Sequence, residues 1–342
     1  MSNYEKKAWE RLTKQVTTPR ARGPLGEGFA RASNRISEAS NSALDAGRKI
    51  PGALETADIS KKAFEKAVSG LHGVTVDFGL NSVSTSTVVK RVQKAGHDIS
   101  SFDDIHTLDL KVCDLVGSSK KQKYAAAGLV EGAASSLAIT GLTVSTTVSG
   151  GASLGVVTGV IAADTVAVLT GMGRIVASVA ASYGYDTRLP EEAIFAAGVL
   201  SYSTSRNATE SAIAMAALSN LTQQMMRQAT WSQLSSNILV KAVQTVFKAI
   251  GIKLTHNKLA QVIPFVGVAI NGGLNAKIAH DTVERAHTAY RLRFLTEKYD
   301  LDPGEWRPEP VDDGSRQRGP QIPRVDEIIE AEIVDVEESD DL

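Results

Sequence analysis

Cysteine is almost absent from this 342-residue chain, Cys113 being the single one. That excludes an internal disulfide framework and agrees with a reducing compartment. Aromatic residues make up only 5%, too few for the sheet sandwiches that favour aromatic and β-branched side chains. No dense basic stripe occurs, so nucleic acid is not expected as a partner. The start MSNYEKKAWERLTKQ lacks an apolar core, and no secretory signal is expected. There is no G-x-x-x-x-G-K-[ST] phosphate loop and no C-x-x-C pair. No cofactor is expected.

Small residues are plentiful instead, with Ala, Gly, Ser, Thr and Val dominating. They suit close packing of helices and point to an all-α multi-helix bundle. The net charge of −1 is unevenly laid out. Residues 1–124 hold 20 Lys/Arg against 14 Asp/Glu, residues 125–302 hold 13 against 11, and residues 303–342 hold 4 against 13. A mildly basic body with an acidic tail could rest on an anionic membrane surface.

The pattern divides the chain into an N-terminal helical and linker region (1–54), a helical domain (55–302) and an acidic tail (303–342). A charged helix at about 3–16 leads into the Pro/Gly-rich linker TTPRARGPLGEG. Helices follow near 28–47 and 58–70, then two more that stop at Gly96 and Gly117. Leu108, Val112 and Leu115 mark an apolar face on the second of these, opposite Asp109 and Lys111. Further helices fall near 190–203, 208–227 and 232–250, and a charged one runs to about Tyr299. The one strand candidate is LTVSTTV at 142–148. Composition predicts a disordered tail after Asp302, with a short acidic-aliphatic segment, VDEIIEAEIVDVEESDDL, that could dock on a protein partner.

From Gly132 to Ala163 no residue carries a formal charge, and a second uncharged window spans 259–276. Gly151, Gly155 and Gly159 recur every fourth residue, the spacing of a glycine zipper that lets a second helix approach closely. The long run could supply a central helical hairpin turned near 149–151, either buried in a soluble core or engaging a bilayer. A membrane-centred Asp164 would cost about 2.5–3.5 kcal/mol, which opposes full insertion.

Two constellations suggest chemistry. GASLG fits G-x-S-x-G with Ser153 as nucleophile, and Asp164 or Asp186 followed by His256 or His280 gives a hydrolase order. An α/β-hydrolase needs a sheet behind that elbow, which the pattern lacks. His280, Glu284 and His287 share one helical face as a weak metal candidate, short of a closed site.

The stretch ASYGYDTRLPEEAIFAAGVLS (181–201) resembles the signature of the EcsC family. So do AAAGLVEGAASSL, GVIAADTVAVLTGMGRIVASVA and VIPFVGVAINGGLNAKIAHDTVERAHTAYRLRF, in the same order. The resemblance covers roughly residues 55–300. It implies a helical, bacterial, cytoplasmic-side protein of a family named for an association with an ABC transporter system. Read physically, Gly184 stops one helix, while Pro190, Glu191 and Glu192 start the next. Asp164, Arg174, Tyr183, Tyr185, Asp186, Arg188, Asn271 and Asn275 are candidate binding residues, with Asp164 expected to find a partner in Arg174, Asn271 or Asn275. The expected function is a non-enzymatic protein at the inner face of the membrane, engaging lipid or a membrane protein. A hydrolase with its site near Asp164, Tyr185 and Asp186, and a membrane-inserting toxin or effector, stay open as alternatives.

Overall fold

The computed structural model describes residues 1–18, 79–117, 153–227, 236–259, 267–309, 322 and 324–331. At 153–164, 236–237, 255–259 and 267–277 only the helical backbone is described. Of the linker TTPRARGPLGEG (17–28) only Thr17 and Thr18 are described, and the helices expected at 28–47 and 58–70, the strand candidate and the first arm of the hairpin lie outside these residues. Among the described residues no strand occurs, and the fold is all-α.

Helix α1 (Asn3–Thr17) begins with a capping box: the Ser2 hydroxyl accepts from the Glu5 amide while the Glu5 carboxylate accepts from the Ser2 amide. Helices α2 (Thr85–Lys94) and α3 (Leu110–Gly117) follow, with a 3₁₀ turn at Asp103–Thr107 between them. Gly96 stops α2 in the left-handed region, at φ 91°. The centre is built from α4 (Ser153–Ser182), α5 (Pro190–Ser203), α6 (Ala208–Arg227), α7 (Ser236–Leu259) and α8 (Gly267–Tyr299). Residues 193–200 of α5, AIFAAGVL, have no polar face and are all buried, so α5 runs through the middle and touches α4, α6, α7 and α8.

Helices α4 and α8 form the most extensive pairing in the bundle. Ile175 packs with Ala279 and Tyr183 with His287, so residue numbers rise together and the two helices run parallel. Residues Thr165–Ser182 of α4 are apolar and long enough to cross a membrane, with a mean hydropathy of 1.4, yet 67% of that window is buried inside the bundle. At Gly173 the chain before α2 crosses close by: a Cβ there would meet the Gly79 Cα at 3.1 Å.

Helix α1 is tied to α3 and α8. Glu5, 1% exposed, accepts from the Leu110 amide and from Lys298 through Oε1, and from Tyr299 through Oε2. Burial alone would raise its carboxyl pKa. Hydrogen bonds from Tyr299, the Ser2 amide, Lys298 and the Leu110 amide outweigh that and hold it at about 2, below its ordinary 4.5. A depressed acid contributes stability that is complete above pH 4.5 and is lost as pH falls toward 2. Glu5→Gln is therefore expected to flatten the fall in urea midpoint between pH 5 and 2; a curve that keeps the wild-type slope would show that Glu5 is not responsible.

Two sequence expectations are corrected. Leu115 is 62% exposed, and α3 buries Leu110, Cys113, Asp114 and Val116 most deeply, with Leu108 and Val112 half-buried. The cause is Asp114, which is drawn inward by partners described below and turns its neighbour outward. The tail also departs from the expected disorder. Pro303–Trp306 forms a 3₁₀ turn with Trp306 fully buried, its indole N–H donating to Thr296 Oγ1 at 3.0 Å. A short helix, α9 (325–331), packs on α6.

Candidate functional site

The segment from Tyr183 to Glu192 joins α4 to α5 and distributes its side chains to separate places. The Tyr185 amide reaches back to the Ala180 carbonyl at 3.1 Å and the Gly184 amide to Ala181 at 3.3 Å, the wrapping of a glycine-terminated helix. Gly184 has φ 90°, and a Cβ on it would lie 2.8 Å from His106 Nε2. That nitrogen is 2.9 Å from the Gly184 carbonyl oxygen. Glycine is thus required twice, for its backbone and for the imidazole stacked against it.

Tyr183 points into the α3–α8 contact. Its hydroxyl donates to Asp114 Oδ1 at 2.7 Å and lies 2.7 Å from His287 Nδ1. Arg291 Nε donates to the same carboxylate oxygen at 2.8 Å, and Tyr4 donates to Oδ2 at 2.5 Å. A carboxylate paired with a guanidinium only accepts, so the single Tyr183 hydroxyl proton goes to Asp114. His287 must then carry its proton on Nδ1 and donate it to Tyr183. Burial, helped by the nearby Arg291, pushes the His287 pKa down to about 4 against the pull of Asp114, so the imidazole is neutral at pH 7. Burial also pushes the adjacent Cys113 thiol up to about 12, the opposite of an activated nucleophile.

Tyr185 turns to the other side of α8. Its hydroxyl donates to Glu297 Oε2 at 2.8 Å, and its ring carries the Arg293 guanidinium at 4.0 Å from its centroid. Phe195 faces the same guanidinium at 4.5 Å. Arg293, 3% exposed, donates in a fork to both oxygens of Glu192 at 2.6 and 2.7 Å, and through Nε to Glu297 at 2.7 Å. Burial works against this charge, but Glu192 and Glu297 outweigh it and raise the Arg293 pKa well above its usual value. Beside the cluster, the Tyr290 hydroxyl is buried with no partner among the described residues.

A cleft of about 510 Å³ opens over this cluster, with Glu191, Glu192, Glu297 and Asp300 around Arg293 and Met225 on the α6 side. Arg293 commits three of its five N–H donors to Glu192 and Glu297. The described residues that line the cleft present carboxylate edges, apolar thioether and the Arg293 guanidinium.

The other expected site residues are dispersed. Asp186 and Arg188 pair with each other at 2.6 Å at the surface, and Arg188 also donates to Thr85 Oγ1 at 3.0 Å. They brace the junction against α2. Arg174 is exposed on α4. Asp164, Gly155 and Gly159 lie on the α4 backbone, Asn271 and Asn275 on that of α8, and Gly151 outside the described residues. His280 and Glu284 are exposed while His287 is buried against Tyr183; among the described residues no group of three or more His, Cys, Asp or Glu could hold a metal ion.

Arg291, Arg293, Glu297, Asp114 and Tyr4 were not expected in a site. One signal for the arginines was available. Positions 291 and 293 lie about 200° apart on a helix, so in the run Tyr290–Leu295 they cannot share one solvent face.

No curated protein and no solved structure matches this chain. The sequence profile of the EcsC protein family matches residues 31–295, a span that takes in the Tyr183–Glu192 junction and both arginines it engages. By that match the chain belongs to the EcsC protein family.

Proposed function

We propose that the chain is a non-enzymatic, membrane-associated protein. In this reading it sits on the cytoplasmic face of a bacterial inner membrane and engages lipid or a membrane protein through one apolar pole. The supporting observation is the parallel course of α4 and α8. Each is entered from an uncharged window, 132–163 for α4 and 259–276 for α8. Parallel helices bring their N-terminal ends to the same end of a bundle. The register of the Ile175–Ala279 and Tyr183–His287 contacts sets Gly267 level with Ala163, so that residues 153–163 extend past the start of α8 at that pole. The opposite ends carry Arg293, Glu297, Lys298 and Asp300. A bundle apolar at one end and charged at the other suits a protein that dips one end toward the acyl chains and keeps the other in water. A glycine zipper through Gly151, Gly155 and Gly159 would let that pole pack closely on a partner helix. The acidic residues after 331 would be offered to a protein partner.

Vesicle flotation of the purified full chain, with zwitterionic and with anionic lipid, tests this reading together with fractionation of cells. A sizeable floating fraction that releases no trapped dye is the expected result. Membrane recovery in cells without flotation on pure lipid would assign the contact to a membrane protein. Chain that stays in the dense fraction with every lipid and is soluble in cells would sink the proposal. Dye release abolished by Gly155→Leu would favour the inserting toxin instead.

A further inference from the structure

The α9 segment lies beyond the span matched to the family, and it is seated on the body in a particular way. Val325 is 3% exposed and Ile329 fully buried, with Ile322 and Ile328 packed partly against the core. Val325 sits over the α5–α6 crossing: a Cβ built on Gly198 would meet Leu218 Cδ2 at 2.8 Å and Val325 Cγ2 at 3.8 Å. The Val325 contact is an ordinary van der Waals one, while Leu218 would have to shift for any larger residue at 198. Between the two aliphatic anchors, Asp326 is fully buried. It accepts from Asn220 Nδ2 at 2.9 Å and from Arg324. A buried carboxylate is tolerated only where donors meet it, so Asn220 makes this face selective for an acid set between branched aliphatics.

The seating is incomplete at its far end. Gln224, one turn beyond Asn220, reaches Glu330 only at 3.4 Å, and its buried Oε1 has no partner among the described residues. Seven residues are too few to persist as a helix alone, so the described part of α9 draws its helical form from this seat. Among the described residues Pro308 is the last buried one before it. The sixteen positions from there to Arg324 can span up to about 50 Å, enough to reach a neighbouring molecule.

We propose that the α5–α6 face is an exchangeable docking surface for a short helix with a carboxylate between branched aliphatics. The chain's own residues 322–331 occupy it in cis, and the same segment of a second copy competes for it. Docked, the segment holds the acidic end of the chain against the body. Displaced, it frees that end, and the body can accept a tail in trans. This inference is independent of the membrane reading, because it concerns the face at Gly198, Leu218 and Asn220 and not the apolar pole.

The test uses full-length protein and a fluorescent peptide of residues 322–331. The full chain carrying Val325→Asp and Ile329→Asp, which cannot seat its own tail, is expected to bind the peptide. The wild-type chain should bind it about tenfold or more weakly, because a tethered tail competes at high effective concentration. Adding Asn220→Ala to the variant, or Asp326→Ala to the peptide, should abolish the signal. Equal affinity for both chains, or binding by neither, would overturn the proposal. Hydrogen exchange on the unaltered chain gives a reading free of folding defects. Amides of 328–331 should exchange well ahead of those in the middle of α6, and equal protection would show a permanent contact.

Discussion

Arg293→Met is expected to cost about 3–5 kcal/mol of folding stability, the usual effect of removing one partner from a buried charge cluster. For a chain of this size that corresponds to a fall in Tm of roughly 4–7 °C. The reason lies in what the substitution leaves behind. Glu192 loses a two-pronged partner and Glu297 loses its Nε donor, while the rings of Tyr185 and Phe195 lose the guanidinium between them. Arg293→Lys is expected to recover little, since an ammonium cannot fork onto Glu192 and stack flat on two rings at once. The triple variant Arg293→Met, Glu192→Gln, Glu297→Gln separates the causes. If stranded carboxylates dominate, it should be more stable than Arg293→Met alone; if lost packing dominates, it should not be. Thermal and urea melts of the purified proteins decide it, and a loss below 1 kcal/mol would show that the cluster does not hold the junction.

The second large effect falls on Asp114. Asp114→Ala strands Arg291, Tyr183 and Tyr4 together, and a loss of about 3 kcal/mol is expected, somewhat less than for Arg293 because Arg291 keeps 23% of its side chain exposed. Tyr183→Phe removes one of three donors to the carboxylate and leaves His287 Nδ1 without an acceptor, for about 1–3 kcal/mol. The two losses should not add, because both act on the same network. Nitrogen-15 spectra of His287 check the geometry directly. The wild type should show the Nδ1–H tautomer at pH 7, and Tyr183→Phe should shift the ring toward the ordinary tautomer mixture. An Nε2–H ring in the wild type would refute the assigned direction of the Tyr183 hydroxyl.

These residues mark where the sequence was legible and where it was not. The α5 and α6 boundaries follow from local chemistry, with Pro190 at the first helical position, acids in the first turn, and a polar break at 204–207. The junction at Gly184 was readable for the same reason. Leu115 was misjudged because apolar periodicity assumes that every polar residue faces water. Asp114 violates that assumption, held inward by partners 69 to 177 positions away in the chain. Trp306 and Ile329 were misjudged because composition describes the average environment of a tail and not a seat that a distant helix provides. The charges at 291 and 293 are compatible with burial only once carboxylates from α3 and α5 meet them. No window of local sequence contains that pairing.

The bonds around Glu5 also constrain when the protein can finish folding. Its contacts with Lys298 and Tyr299 join positions 293 and 294 residues apart. At ordinary synthesis rates of about 5–20 residues per second, α1 leaves the ribosome roughly 15–60 s before its partners on α8 exist. Through that interval α1 has a satisfied capping box of its own and, once α3 is made, the Leu110 amide and Asp114, but its glutamate lacks the Lys298 and Tyr299 donors. Helix α1 is therefore made early and completed late, and a chain interrupted before Lys298 would leave its α8 contacts unmade and α1 more open to proteases.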